Sequence, residues 1–359
     1  LGLMFFCILF NYTILRDTKD VLVVTAPKSS AEVIPFLKTY VNLPGATAFV
    51  LAYSSLANTY SRERLFYTIL TPFLGFFGAF AWIIYPLRNA LHPNALCDYL
   101  ALALPASFAA PIGVFRNWTY SLFYLLANMW GSVVVSLMFW GFANEITTVD
   151  EAKKYYPLFG MGANVALVFS GLFVRYVSQI KSTVAPGVDA WGVALKLLMT
   201  AVVASGGVIA ACYRYLSVNV VAKSDLSEKA TIKKKKKPSM SLGESMRYLA
   251  SSKYIRNMAT LVIAYGMSIN LVEVTWKAKL KLAFPDPSDY SAFMGLFSSI
   301  TGVTTLGAML FGRYSLNRWG WGPSALVTPC VLLATGAGFF LSLLCGNALS
   351  PLVAMLGTT

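Results

Sequence analysis

The 359 residues are 57% hydrophobic and only 12% charged, with a formal net charge of +14 and a mean hydropathy of +0.62. An ordinary soluble domain is about 45–50% apolar and about 25% charged, so this chain lacks the charge to cover a water-facing surface and reads as a membrane protein. Much of the positive excess lies in one run, Lys233 to Lys237 with Lys223 and Lys229 just before it, which fits a topology signal beside apolar helices rather than a nucleic-acid surface.

Apolar stretches of about 20 residues, enough to cross roughly 30 Å of hydrocarbon, predict helices over 1–25, 30–57, 64–87, 118–143, 156–178, 190–216, 257–282, 289–312 and 323–346, with a tenth beginning near 350. No stretch alternates with period two, as the strands of a membrane barrel would. The first helix carries Arg16, Asp17, Lys19 and Asp20, and apolar Val21 to Val24 continues beyond them. An ionised side chain at the centre of a span costs about 2.5–3.5 kcal/mol, so the cluster is expected to face a pore, with Arg16 and Asp20 as an i,i+4 pair. In the second helix Lys38 stands alone. Its neighbours three and four residues away are Pro35, Ile34, Val41 and Asn42, so its ammonium needs a carboxylate from another helix or an anionic ligand. The single histidine, His92, precedes Pro93 in the segment after the third helix and reads as an ordinary loop residue. Lys196 on the sixth helix either snorkels or faces inward.

Residues 217–243 form a polar, lysine-rich loop, and Ser241 to Arg256 reads as an amphipathic interfacial helix with Leu242, Met246, Leu249 and Tyr254 on its apolar side. In the seventh helix Glu273 and Lys277 are spaced i,i+4 with Trp276 beside them, and they read as a gate or site pair; Lys279 and Lys281 lie nearer the helix end and could snorkel. With the N-terminus on the cytosolic side, Arg62, Arg64, Lys153, Lys154, Arg313 and Arg318 join the lysine run on the inside. The expected organisation is a six-helix part over 1–216, a basic segment with an amphipathic helix over 217–256, and a second helical part over 257–359. That is the all-α layout of a major-facilitator-like, two-half transporter. A faint repeat supports it: both the first and seventh helices carry an acid followed by a lysine and close on a proline, Pro27 and Pro285.

The interior thus offers Arg16, Lys19, Lys38 and Lys277 as cations against Asp17, Asp20 and Glu273, which suits an anionic substrate. Tyr12, Tyr40, Tyr124, Trp130, Phe139 and Trp140 supply rings on which a purine could stack. No GxxxxGK[ST] loop and no HExxH occur, and one histidine cannot serve a triad. Cys7, Cys97, Cys212, Cys330 and Cys345 show no CxxC spacing, so neither a metal site nor a disulfide framework is expected. The chain is expected to be no enzyme and to need no cofactor, running on gradients. It shows no cleavable signal, and both ends, which fall inside apolar runs, read as cut.

The stretches TILRDTKDVLVVTA (Thr13–Ala26), IPFLKTYVNLP (Ile34–Pro44), Leu122–Lys154 and YGMSINLVEVTWKAK (Tyr265–Lys279) resemble the non-mitochondrial ATP/ADP translocases of plastid envelopes and intracellular bacteria, the plastid members above all. The resemblance implies a twelve-helix carrier, of which about nine or ten helices are present here, and counter-exchange of ATP and ADP with phosphate often accompanying ADP. It implies a plastid inner envelope location, with the inner membrane of an intracellular bacterium as the alternative. It maps essential residues of the family onto Lys38 and Glu273. Where the family commonly carries an acid, this chain has Asn128, which leaves the interior more positive. That change keeps three consequences open: an altered choice of substrate, such as another anion, a weakened strict counter-exchange, and a homologue that no longer transports and serves in a larger membrane assembly.

Overall fold

A computed structural model describes residues 1–221 and 251–345. Most of the lysine-rich loop, the first part of the expected amphipathic helix and the tenth helix near 350 lie outside the described residues. Nine long helices fill the rest: α1 (Gly2–Val24), α2 (33–59), α3 (Arg62–Ile84), α4 (Trp118–Ile146), α5 (Val149–Ser178), α6 (Ala190–Leu216), α7 (Lys253–Ala283), α8 (Pro287–Trp319) and α9 (Trp321–Leu344). No strand occurs among the described residues. Seven of the nine, α3 to α9, are long and apolar enough to cross a membrane. The protein is an integral membrane protein. Lys253 to Arg256, expected at the end of a separate interfacial helix, instead form the first turn of α7, capped by the Ser252 hydroxyl, which accepts from the Ile255 N–H.

Two compact units divide the chain, Leu1–Val303 and a second from Thr304 onward. In the first, α1 packs against α4, α5 and α6. Polar bonds fix its place: the Trp130 indole donates to the Ile8 carbonyl at 3.1 Å and the Asn11 amide to Val202 at 3.0 Å, both buried. In hydrocarbon such bonds, together with close packing at small residues, replace the hydrophobic drive between helices. In the second unit the end of α8 turns into α9 at Gly320, whose φ of 76° is the left-handed region that a side chain would strain. Ser315 and Ser324 share a 2.7 Å hydrogen bond across that turn, and Trp319 packs on Phe311 and Tyr314.

Along the seam between α5 and α8 the two backbones approach closely at a pair of glycines. A Cβ on Gly171 would lie 2.5 Å from the Gly295 carbonyl, and one on Gly295 would lie 2.6 Å from the Gly171 carbonyl. Ser178 and Ser291 hydrogen-bond at 2.8 Å on the same seam, and the Ser299 hydroxyl donates to Val168 at 3.1 Å.

The segment between α3 and α4 is not a plain connector. It holds short helices at Arg88–Leu91, Asn94–Ala103 and Ala109–Arg116, divided by Pro93 and Pro105, whose missing N–H groups interrupt any longer helix. His92 is correspondingly not a free loop residue. Its Nε2 lies 2.6 Å from the Thr119 hydroxyl and its ring meets Tyr120 edge-on. Lys28 and Arg116 both bind Asp98, at 2.6 and 2.5 Å, and these hydrogen bonds hold the Asp98 carboxyl below its usual range.

Candidate functional site

On α1 the apolar neighbours Ile14, Leu15 and Val21 to Val24 are buried, which draws the intervening charges out of solvent with them. The charges resolve into two groups. In the first, Arg16 meets Asp17 at 3.1 Å and donates to the Ser298 hydroxyl at 2.8 Å, while that hydroxyl donates to the other Asp17 oxygen at 2.7 Å. This triangle ties α1 to α8. The expected Arg16–Asp20 pair does not form: Ser298 holds the Arg16–Asp17 side, and Asp20 is claimed by a lysine on another helix.

The second group is a ladder of alternating sign across three helices. Lys19 approaches Asp20 at 3.4 Å; Lys277 donates to Asp20 at 2.7 Å and to Glu273 at 2.6 Å; Lys38 reaches the other Glu273 oxygen at 2.8 Å and Asn270 at 2.6 Å. It runs from α1 through α7 to α2. The Lys277 and Asp20 side chains are 3% and 4% exposed, whereas that of Lys38 is 35% exposed. Pairing keeps such groups ionised out of water, and loss of one partner strands the other. Together the two groups bring four cations against three carboxylates, so one positive charge is in excess.

Local backbone geometry sets up Lys38. Residues Leu37–Asn42 form a widened π turn just before Pro44, which has no N–H to return to the preceding turn. Leu37 is buried there, while Lys38 is only half covered and points at α7.

Asn128 joins neither group directly. It is half-buried beside the Tyr124 hydroxyl, without reaching hydrogen-bond geometry, and the Lys19 ammonium lies 4.0 Å from the centroid of the same ring. The sequence reading missed Asn270, Ser298 and Tyr290. The first two are uncharged polar groups within apolar helices, a faint signal by comparison with a lone lysine. Of the remaining lysines, Lys281 donates to the Ser29 carbonyl, Lys196 lies 5.2 Å from the Trp82 ring centroid and Lys279 is exposed.

A cavity of about 590 Å³ opens where α1 ends, lined by Leu22, Thr25, Arg88, Lys181, Asp189 and Asp286 among others. Arg88 binds Asp189 at 2.8 Å, and Lys181 binds Asp286 at 3.1 Å and Asp289 at 3.0 Å. Burial opposes ionisation of Asp286, but the Lys181 hydrogen bond and the Ser288 and Asp289 N–H groups outweigh it and hold its pKa low. These ion pairs join the segment after α5 to the α7–α8 connection and the start of α8, and the α6 N-cap to the segment after α3.

The whole chain, residues 1–359, matches the family model described as TLC ATP/ADP transporter. It is 58% identical to "ADP,ATP carrier protein 1, chloroplastic" of Arabidopsis thaliana, covering 100% of this chain and 57% of that protein. It is 57% identical to the "Plastidic ATP/ADP-transporter" of Solanum tuberosum, covering 100% of this chain and 56% of that protein. It is 52% identical to "ADP,ATP carrier protein 1" of Chlamydia trachomatis serovar D, covering 99% of this chain and 68% of that protein. The chain spans a little over half the length of the plant relatives. No solved structure matches it.

Proposed function

We propose that this chain, which belongs to the TLC ATP/ADP transporter family, exchanges ATP for ADP across a membrane by alternating access. The observation that carries the reading is Lys38: a cation within a helical membrane protein, partly exposed, held by Glu273 and Asn270 of another helix. A phosphate oxygen that binds Lys38 competes with Glu273 for it. Glu273 then leans on Lys277, and Lys277 is drawn from Asp20. Binding at one end of the ladder in this way loosens the tie between α1 and α7 at the other, so occupancy and opening are coupled. The Arg16–Asp17–Ser298 triangle serves as a parallel tie between α1 and α8. An empty carrier keeps the ladder closed and crosses slowly, which favours counter-exchange over leak.

The architecture that goes with this reading is a major-facilitator-like carrier of twelve helices, with its halves meeting at residues 217–256 and α1 and α7 as the first helix of each. The location that goes with it is a plastid inner envelope, for which the plant relatives' names support the plastid; the alternative is the inner membrane of an intracellular bacterium, in line with the Chlamydia relative. Its partners are adenine nucleotides, phosphate and the bilayer.

Purified protein in liposomes loaded with ADP should take up labelled ATP, and Lys38→Ala should abolish that uptake. Normal exchange by Lys38→Ala removes the role given to Lys38. Uptake that unlabelled phosphate or other nucleotides block as well as ATP does identifies a carrier of another anion, the outcome that neutral Asn128 would favour. Absence of all exchange, with stable copurification in a larger complex, identifies a non-transporting subunit.

A further inference from the structure

Two buried tyrosine hydroxyls near the ladder make no hydrogen bond of good geometry, although the Asn128 side chain stands beside that of Tyr124. Tyr124 of α4 is 1% exposed and Tyr290 of α8 is 0% exposed, and neither hydroxyl has a hydrogen-bond partner. A buried hydroxyl left unpaired costs about 1–3 kcal/mol, and most buried polar side-chain atoms are satisfied. Two such groups around one ion pair therefore require a reason. The charged groups around the Tyr124 hydroxyl are Asp20, Lys38 and Lys277; those around Tyr290 are Asp20, Lys277, Asp17 and Glu273. Both hydroxyls thus lie within the electrostatic reach of Asp20 and Lys277, on different helices.

Lys19 completes the arrangement. Its ammonium is buried, and among the described residues the carboxylate it meets is Asp20, at the long distance of 3.4 Å, while Tyr124 presents it a ring face. An ammonium has three donors and no acceptor capacity, and a phenol donates readily. Lys19, Tyr124 and Tyr290 together form a set of donors short of acceptors, beside a cluster with one positive charge in excess. What such a set lacks is an oxyanion.

We propose that Tyr124, Tyr290 and Lys19 form a cradle for a phosphoryl oxygen of the substrate, with one hydroxyl contributed by α4 and the other by α8. The inference rests on the reading of the chain as a nucleotide exchanger and adds to it the groups that hold the phosphate after Lys38 has captured it. The phosphoryl group enters as Lys277 leaves Asp20; it takes the two hydroxyl protons as hydrogen bonds and replaces Asp20 as the partner of Lys19. No covalent step is involved. The cradle also favours a substrate with at least two phosphates, one for Lys38 and one for the tyrosines.

Tyr124→Phe and Tyr290→Phe test this, because each removes one oxygen and keeps the ring. Full-length protein in ADP-loaded liposomes gives KM for ATP, and scanning fluorimetry gives the melting temperature with and without ADP. The expected result is a KM raised about tenfold in each variant, the effect of one lost hydrogen bond to a charged group, with a smaller ADP-induced shift and an apo melting temperature at or above that of the parent. An unchanged KM and an unchanged ADP shift overturn the cradle. So does a lowered apo melting temperature with the parent's KM, which marks the hydroxyl as a structural group. If the parent exchanges no nucleotide, the exchange reading fails instead. Inorganic phosphate is then the probe: stabilisation of the parent that both Phe variants lose upholds the cradle, and equal stabilisation of all three overturns it.

Discussion

Lys277 stands between two carboxylates on different helices, 2.7 Å from Asp20 of α1 and 2.6 Å from Glu273 one turn back on α7. Its contact with Asp20 is the ion pair of the ladder that joins α1 to α7, whereas the Glu273–Lys38 pair joins α7 to α2, so loss of Lys277 unties α1 from α7.

Removal of that bridge should be costly in itself. Lys277→Ala leaves Asp20 with the distant Lys19 contact alone, and stranding a buried charge costs about 3–5 kcal/mol. We expect a clear drop in melting temperature in detergent. The reversal Asp20→Lys with Lys277→Asp should recover part of it, measured as a double-mutant coupling. Full additivity of the two single effects would show that the pair contributes nothing.

Asn128→Glu should weaken nucleotide binding. The new carboxylate would stand beside Tyr124 and cancel the excess positive charge of the cluster. A unit charge at roughly 8 Å and an effective dielectric near 20 is worth about 2 kcal/mol, so KM for ATP should rise at least about tenfold in reconstituted exchange. Asn128→Gln, which adds no charge, should leave KM near the parent value. Equal KM values for the Glu variant and the parent would remove Asn128 from the electrostatics of the site.

The α5–α8 seam should tolerate no side chain. Gly171→Ala or Gly295→Ala places a methyl against the opposite helix backbone, and overpacking of this kind costs about 1–3 kcal/mol. Gly162→Ala, on α5 with nothing within 4 Å of the added carbon, is the control, and it should be neutral or gain stability because alanine suits a helix interior better than glycine. Equal melting temperatures for all three variants would show that the seam has room for a methyl group.

His92 should make stability depend on pH. Burial, then the neighbouring Arg88 charge, push its pKa below the ordinary value, which is about 6.5. Above that value both folded and unfolded chains carry a neutral imidazole. As pH falls below it, the unfolded chain binds the proton first and the folded state loses stability. The melting temperature should therefore decline between about pH 7 and pH 5.5, and His92→Gln, which can still bond Thr119, should flatten the decline. An identical slope in the variant would assign the pH dependence elsewhere.

Seven of the nine helices, α3 to α9, were legible because a bilayer demands long apolar runs and the runs are there; α1 and α2 were legible from apolar stretches interrupted by charge or proline. Lys38 and Glu273 were legible for the converse reason: an ionised group among apolar neighbours stands out by its cost. The i,i+4 rule also placed Glu273 against Lys277, since both ends of that contact lie on one helix. The short helices between α3 and α4 were missed because prolines cut an apolar segment into pieces too short to span.

The same spacing rule failed for Arg16 and Asp20. Their separation along α1 suits a pair, yet Ser298 of α8 and Lys277 of α7 offer shorter contacts from outside the helix, and Asp17 completes one of them. Tyr290 carried no signal at all, because an unpaired hydroxyl is defined by what surrounds it. The sequence by itself determined that this is a helical membrane protein with costly charges at Arg16 to Asp20, Lys38, Glu273 and Lys277. Only the tertiary structure decided which of them meet across helices, since those pairs depend on distances of a few ångströms between helices and no periodicity along a single helix encodes them.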